Sequence, residues 1–291
     1  MNYIEYKNKQ KKEESNRLFN QSKIKEAFVK RLKQKEFSTT LFELNCHTLG
    51  FIICKNFPHN EAASYDLISN DIFVKKKNYI DYIWHELLHV SSTLRTEDVI
   101  YSGLSISNGK KEKIGTGLNE GVTVFLDGML FKGITKNHDK YNQAYPIEKF
   151  LCGILYDIIG EFLFKCYFDA DFDTFYSYLV NFNGFKKTDN FLKAFDIIYF
   201  ESHYTTDKKQ PNIKSIVASF NYVCFYLVEL SIKHMVRNYE LGYIDEQIYK
   251  EGIKGYLDYY SEIYIKDEND RKYELDKEKI EKIIKKNISK C

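Results

Sequence analysis

Beyond Tyr145-Pro146 the apolar residues of this chain recur at helical spacing almost to its end, and that change of rhythm limits the folds open to it. A helix repeats every 3.6 residues, so apolar side chains at i, i+3, i+4 and i+7 share a face, whereas strands alternate. The pattern predicts helices over 147–168, 172–182, 188–200, 213–238, 245–262 and 274–288. Strand-like runs lie earlier, over 48–54, 65–68 and 72–74, in short β-branched and aromatic segments that suit a pleated surface. Asn108-Gly109 predicts a hairpin joining 100–107 to 110–114, because both central residues of its tight turn need positive φ. Further helices are expected over 13–36, from Asn78 as cap to about Leu94, and over 118–130. The expected class is α+β and predominantly helical. A charged helical leader (1–40) precedes a core with a small sheet and hairpin (41–135), and a helical C-terminal half (136–291) forms the other wall of a cleft.

Composition narrows the functions. With 44% hydrophobic and 29% charged residues the chain has ample side chain to bury, which excludes global disorder. Forty-three basic residues against 41 acidic leave no global field to attract nucleic acid or a membrane surface. Residues 1–36 hold 11 basic residues against 5 acidic ones, which a solvated helix face explains. The aromatic helices of the second half lack the interleaved basic residues of a nucleic-acid stacking surface. The first residues, Met1-Asn2-Tyr3-Ile4-Glu5-Tyr6-Lys7, have no apolar core of a secretory signal. The stretch 151–168 is strongly apolar, but Asp157, Glu161 and Lys165 put one polar stripe along it, as on an amphipathic core helix rather than a membrane span. Cysteines 46, 54, 152, 166, 224 and 291 show no Cys-x-x-Cys spacing and read as reduced, buried thiols of a cytoplasmic protein. Asp169, Asp171 and Asp173 mimic the start of a calcium loop, yet the glycine and glutamate such a loop needs are absent, so a capped turn is expected.

The chemistry lies in His85-Glu86-Leu87-Leu88-His89. Residues four apart stand on one helical face, so both imidazoles can reach a single Zn²⁺. Glu86 lies beside them, poorly placed to ligate but able to act as general base toward a metal-activated water. Ile80, Ile83, Trp84, Leu87, Leu88 and Leu94 supply the apolar flank. The competing reading is an amphipathic helix whose two histidines satisfy local bonds.

A catalytic zinc needs a third protein ligand and an open position. A further histidine six residues on is ruled out, because Arg95 stands there. Glu120, 31 residues beyond His89 and carried on the next helix, is the preferred third ligand. Glu97 and Asp98 are nearer alternatives in a turn, and a site with no acidic ligand is the last.

His85-Glu-Leu-Leu-His89 followed by Asn119-Glu120-Gly121 resembles the gluzincin branch of zinc metallopeptidases, the clan that includes thermolysin. The resemblance covers residues 70–130. The run Gly-Leu-Asn-Glu-Gly-Val-Thr is similar to one in small, uncharacterised bacterial zincin-like proteins. It implies a zincin-like core, one Zn²⁺ per chain held by His85, His89 and Glu120, and Glu86 as catalytic base. Where thermolysin-like enzymes carry an Asp four residues after the glutamate ligand, this chain has Val124; Thr123 or Asp127 would take over its orienting role. Gluzincins stabilise the oxyanion with a Tyr or His from another segment, for which Tyr101, His203 and His234 are weak candidates.

The expected function is zinc-dependent cleavage of peptide bonds, with a peptide or protein substrate and neither nucleic acid nor membrane as partner. The alternative is a non-catalytic binding or regulatory protein on a zincin scaffold.

Overall fold

The computed structural model describes residues 3–20, 22–54, 63–75, 79–108, 113–138, 145–203, 211–266 and 270–288. They form a mostly helical α+β protein with small sheets. Two compact units emerge, neither of them a continuous segment: 1–113, 122–146 and 161–172 make the first, and 114–121, 147–160 and 173–291 the second.

The first unit opens with α1 (Tyr3–Asn20) and α2 (Lys23–Gln34), where one helix over 13–36 was expected. The break has a local cause: Ser22 stands outside helical φ/ψ and its hydroxyl accepts from the Lys25 N–H, starting a new helix. Helix α1 is docked. Asn16 donates to the carbonyls of Cys46 (2.9 Å) and Leu49 (2.7 Å), and Lys12 pairs with Asp71 at 2.9 Å. The short helix α3 (Thr40–Cys46) leads into β1 (Gly50–Cys54), β2 (Ala63–Asp66) and β3 (Asp71–Lys75). They lie in the order β1-β3-β2, β1 parallel and β2 antiparallel to the central β3.

Helix α4 (Tyr79–Ser91) packs on α3, β2 and β3. Its expected cap, Asn78, lies outside the described residues. The helix was expected to reach Leu94 but ends at Ser91, because Thr93–Arg95 form β4 and pair with β5 (Ile100–Ser102). Asn45 holds this end, donating to the carbonyl of Val90 (2.8 Å), in the last turn that has no helical partner, and to that of Thr93 (2.7 Å) in β4. Arg95 in turn donates to Asn45 Oδ1 and to the Leu67 carbonyl, both at 2.7 Å. The segment 100–107 is itself a hairpin, turning at Gly103 (φ +54°) into β6 (Ser105–Ser107); β7 (Lys113–Ile114) then extends the sheet in the order β4-β5-β6-β7. Gly109 of the expected turn lies outside the described residues.

Helix α5 (Thr116–Phe131) runs without interruption through the changeover between units at 121/122. Trp84 of α4, 3% exposed, stacks on Phe131 of α5 (4.9 Å), which stacks on Phe28 of α2 (5.5 Å), which meets Phe42 of α3 (4.7 Å). This aromatic column is the core of the first unit.

The expected helix over 147–168 is two, α6 (Pro146–Ile159) and α7 (Glu161–Phe168), separated by Gly160 at φ +60°. Asp157, Glu161 and Lys165 are all exposed, as their spacing required. The aspartate cluster after α7 closes a capped turn: Ala170 is left-handed (φ +51°), and the Asp171 N–H bonds back to the Cys166 carbonyl at 2.9 Å.

The second unit continues with α8 (Phe172–Asn183), α9 (Phe185–His203), α10 (Ile213–Glu240) and α11 (Glu246–Ser261). A two-stranded ladder, β8 (Tyr264–Lys266) with β9 (Lys272–Glu274), precedes α12 (Lys277–Ile288). Helix α10 is the hub, packed by α9, α11 and α12. By length and composition it could cross a membrane, but 61% of its most apolar window is buried inside the protein, as in the core helix of a soluble protein. Cys46, Cys152, Cys166 and Cys224 are buried and not in disulfides. Burial pushes the Cys46 and Cys166 thiols up to about 12, and those of Cys152 and Cys224 up as well.

Candidate metal centre

The thirteen residues of α4 place His85 and His89 one turn apart on one face. Their Nε2 atoms approach to 3.1 Å, with the ring planes at 77°. Two nitrogens bound to one tetrahedral zinc at ~2.0–2.1 Å would lie about 3.3 Å apart. The observed separation, which is also that of a hydrogen bond between the rings, is close to this spacing. Glu120, the fifth residue of α5, completes the group: the ligand atoms of His85, His89 and Glu120 lie within 4.8 Å of one another. Glu97 and Asp98, the nearer acidic alternatives, sit exposed in the turn between β4 and β5, outside this group.

Two imidazoles and a carboxylate are the donor set of a catalytic rather than a structural zinc, which is typically closed by four protein ligands. These residues fit the metal by donor chemistry and by spacing. Glu86 is 8% exposed and His89 7%, so both the candidate base and one ligand are shielded from bulk water.

Of the residues expected to orient the ligands, Thr123 shares a 2.8 Å hydrogen bond with the Tyr167 hydroxyl. Asp127 pairs with the buried His138 at 3.0 Å. Tyr101, His203 and His234 were the weak candidates for the oxyanion group. Tyr101 lies in β5, opposite Leu94 and Ile106. His203, the last residue of α9, has its Nε2 3.4 Å from the carboxylate of the fully buried Glu148. His234 packs against Phe182, and burial together with Arg237 holds its pKa below the ordinary histidine value.

Sequence reasoning passed over several contributors. Tyr145 brings its ring to 6.2 Å from the His85 ring. Its backbone is left-handed (φ +56°) directly before Pro146, a conformation that costs a bulky residue about 1–3 kcal/mol and persists where the surroundings enforce it. Gly117 and Gly121 let α5 approach its neighbours backbone to backbone. A Cβ at 117 would lie 2.2 Å from the Phe195 carbonyl oxygen, and one at 121 would lie 2.8 Å from that of Glu148. Their four-residue spacing was the available signal. Asp196 accepts hydrogen bonds from the N–H groups of Gly117 (2.9 Å) and Gly115 (3.1 Å), and nothing in the sequence announced it.

Comparison of the chain with protein-family models, with curated proteins and with solved structures gives no match.

Proposed function

We propose that the protein is a cytoplasmic, single-zinc peptidase of gluzincin type on a zincin-like core, acting on peptide or protein substrates. The observation that carries this reading is the convergence of the two Nε2 atoms, 3.1 Å apart, with the Glu120 carboxylate in the same group. His85, His89 and Glu120 would hold the metal. When bound, zinc supplies a Lewis acid that polarises the scissile carbonyl and makes water acidic near neutral pH. Glu86 takes the proton of the attacking water and returns it to the leaving amine.

Glu86→Gln is the direct test, read by metal content and by cleavage of a mixed peptide library. The variant is expected to keep about one zinc per chain. Hydrolysis should fall by about 10²–10⁴-fold, the usual contribution of general base catalysis. Hydrolysis at the wild-type rate in this variant sinks the mechanism, and wild-type protein that takes up no zinc sinks the metal site.

A further inference from the structure

The helix that carries Glu120 begins without a capping side chain of its own. Gly115 (φ +80°) occupies the cap position, and its carbonyl accepts the first helical bond, from Asn119 at 2.9 Å. A glycine cannot bond to the first-turn amides, which have no partner within the helix. Asp196 on α9 does so from 79 residues away in sequence: Oδ1 accepts from Gly117 at 2.9 Å and Oδ2 from Gly115 at 3.1 Å. A negative charge therefore sits on the positive end of the α5 dipole. The adjoining residue, Phe195, presents the carbonyl against which Gly117 packs too closely for any Cβ. Position along the axis and rotation about it are both fixed at this point. Glu120 follows Gly117 by three residues, about 4.5 Å along the helix, inside the segment so held.

We propose that Asp196 is the positioning residue of Glu120: by capping α5 from outside, it holds the third ligand beside the two histidines. The inference rests on the metal-site reading above. A metal site tolerates only about 0.5 Å of ligand displacement, so an uncapped, fraying first turn would be felt in metal affinity. Burial raises the Asp196 pKa, with the amides of Gly117, Gly115 and Thr116 opposing, which marks a carboxylate that stays in a desolvated place because those donors receive it.

The test compares wild type, Asp196→Ala, Asp196→Asn and Glu120→Ala. Its readouts are zinc affinity by chelator competition and amide hydrogen exchange over residues 115–121 in the metal-free protein. Asp196→Ala is expected to speed exchange in that segment and to weaken zinc by about 10–100-fold, the range typical of residues that support metal ligands. Asp196→Asn, whose amide oxygen still accepts one N–H, should recover part of both losses. Unchanged exchange and zinc affinity in Asp196→Ala, beside lost zinc in Glu120→Ala, overturn the inference and leave the metal site standing. Zinc bound equally by Glu120→Ala and wild type brings down the site reading and this inference together. Should Asp196→Ala fail to fold, Asp196→Asn and Gly117→Ala carry the comparison, and wild-type zinc affinity in both overturns the proposal.

Discussion

Helices α4 and α5 carry the three candidate ligands, yet they are fastened by opposite means. Side chains hold α4: Trp84 enters an aromatic column, and Asn45 donates to the carbonyls at and just beyond its end. Absences hold the start of α5, where Gly117 and Gly121 leave room for the carbonyls of Phe195 and Glu148, and a carboxylate from another helix caps it. A helix held by large side chains loses stability when one is trimmed, and its ligands keep their mutual geometry because both stand on it. A helix held by glycines is disturbed by addition, and the disturbance goes straight to the single ligand it contributes.

Trp84→Ala is the strongest way to break this contrast. Removing a buried indole stacked on Phe131 should cost about 3–5 kcal/mol in denaturant unfolding. Zinc affinity of the folded fraction should change little by comparison. A loss below about 1 kcal/mol would show that the column is not what anchors α4.

Gly121→Ala should cost less, about 1–3 kcal/mol, since the new methyl meets the Cys152 sulfur at 2.7 Å and the Glu148 carbonyl at 2.8 Å. Its effect on zinc affinity should nevertheless exceed that of Trp84→Ala. The reverse order, read by chelator competition on both variants, would erase the distinction between the two helices.

A third kind of fastening, by charge alone, supplies the smallest effect. Burial pushes the Glu229 carboxylate up, but its bonds to Lys187 and Lys233 outweigh this and hold it below its ordinary value of 4.5. The stabilisation is therefore in place above that value and is lost as pH falls through the lowered one. Lys187 is half-exposed, so solvent screening limits the contribution to about 1 kcal/mol or less. Glu229→Gln should lower stability at pH 7 and make no difference once pH is well below 4.5; an equal deficit at both pH values would mean packing, not charge, is involved.

What the sequence disclosed follows the range of the interactions concerned. The shared face of His85 and His89 was legible because a helix converts a spacing of four into one, and Glu120 could be preferred as their neighbour because the hairpin lets the next helix turn back. The helices from α8 onward were legible for the same reason of periodicity. Boundaries were hidden where a single residue redirects the chain: Ser22 starts a new helix, Gly160 ends one, and Thr93 is drawn into a ladder with Ser102 although its neighbours continue a helical pattern. The seven residues of α3 are too few to establish a period. Asp196 could not be found by any local rule, because its partners, Gly115 and Gly117, lie about eighty residues earlier and bond through backbone amides that no side-chain pattern reports.

Helix α10 carries a consequence for the order of events during synthesis. Its apolar length is a property of the chain, whereas its burial is a property of the finished fold, supplied by α8 and α9 before it and by α11 and α12 after it. A ribosome that has just released residue 240 has therefore made a segment with the hydropathy of a membrane anchor before α11 and α12 exist to cover it. Residues 246–288 in this sense complete the cover over the preceding helix.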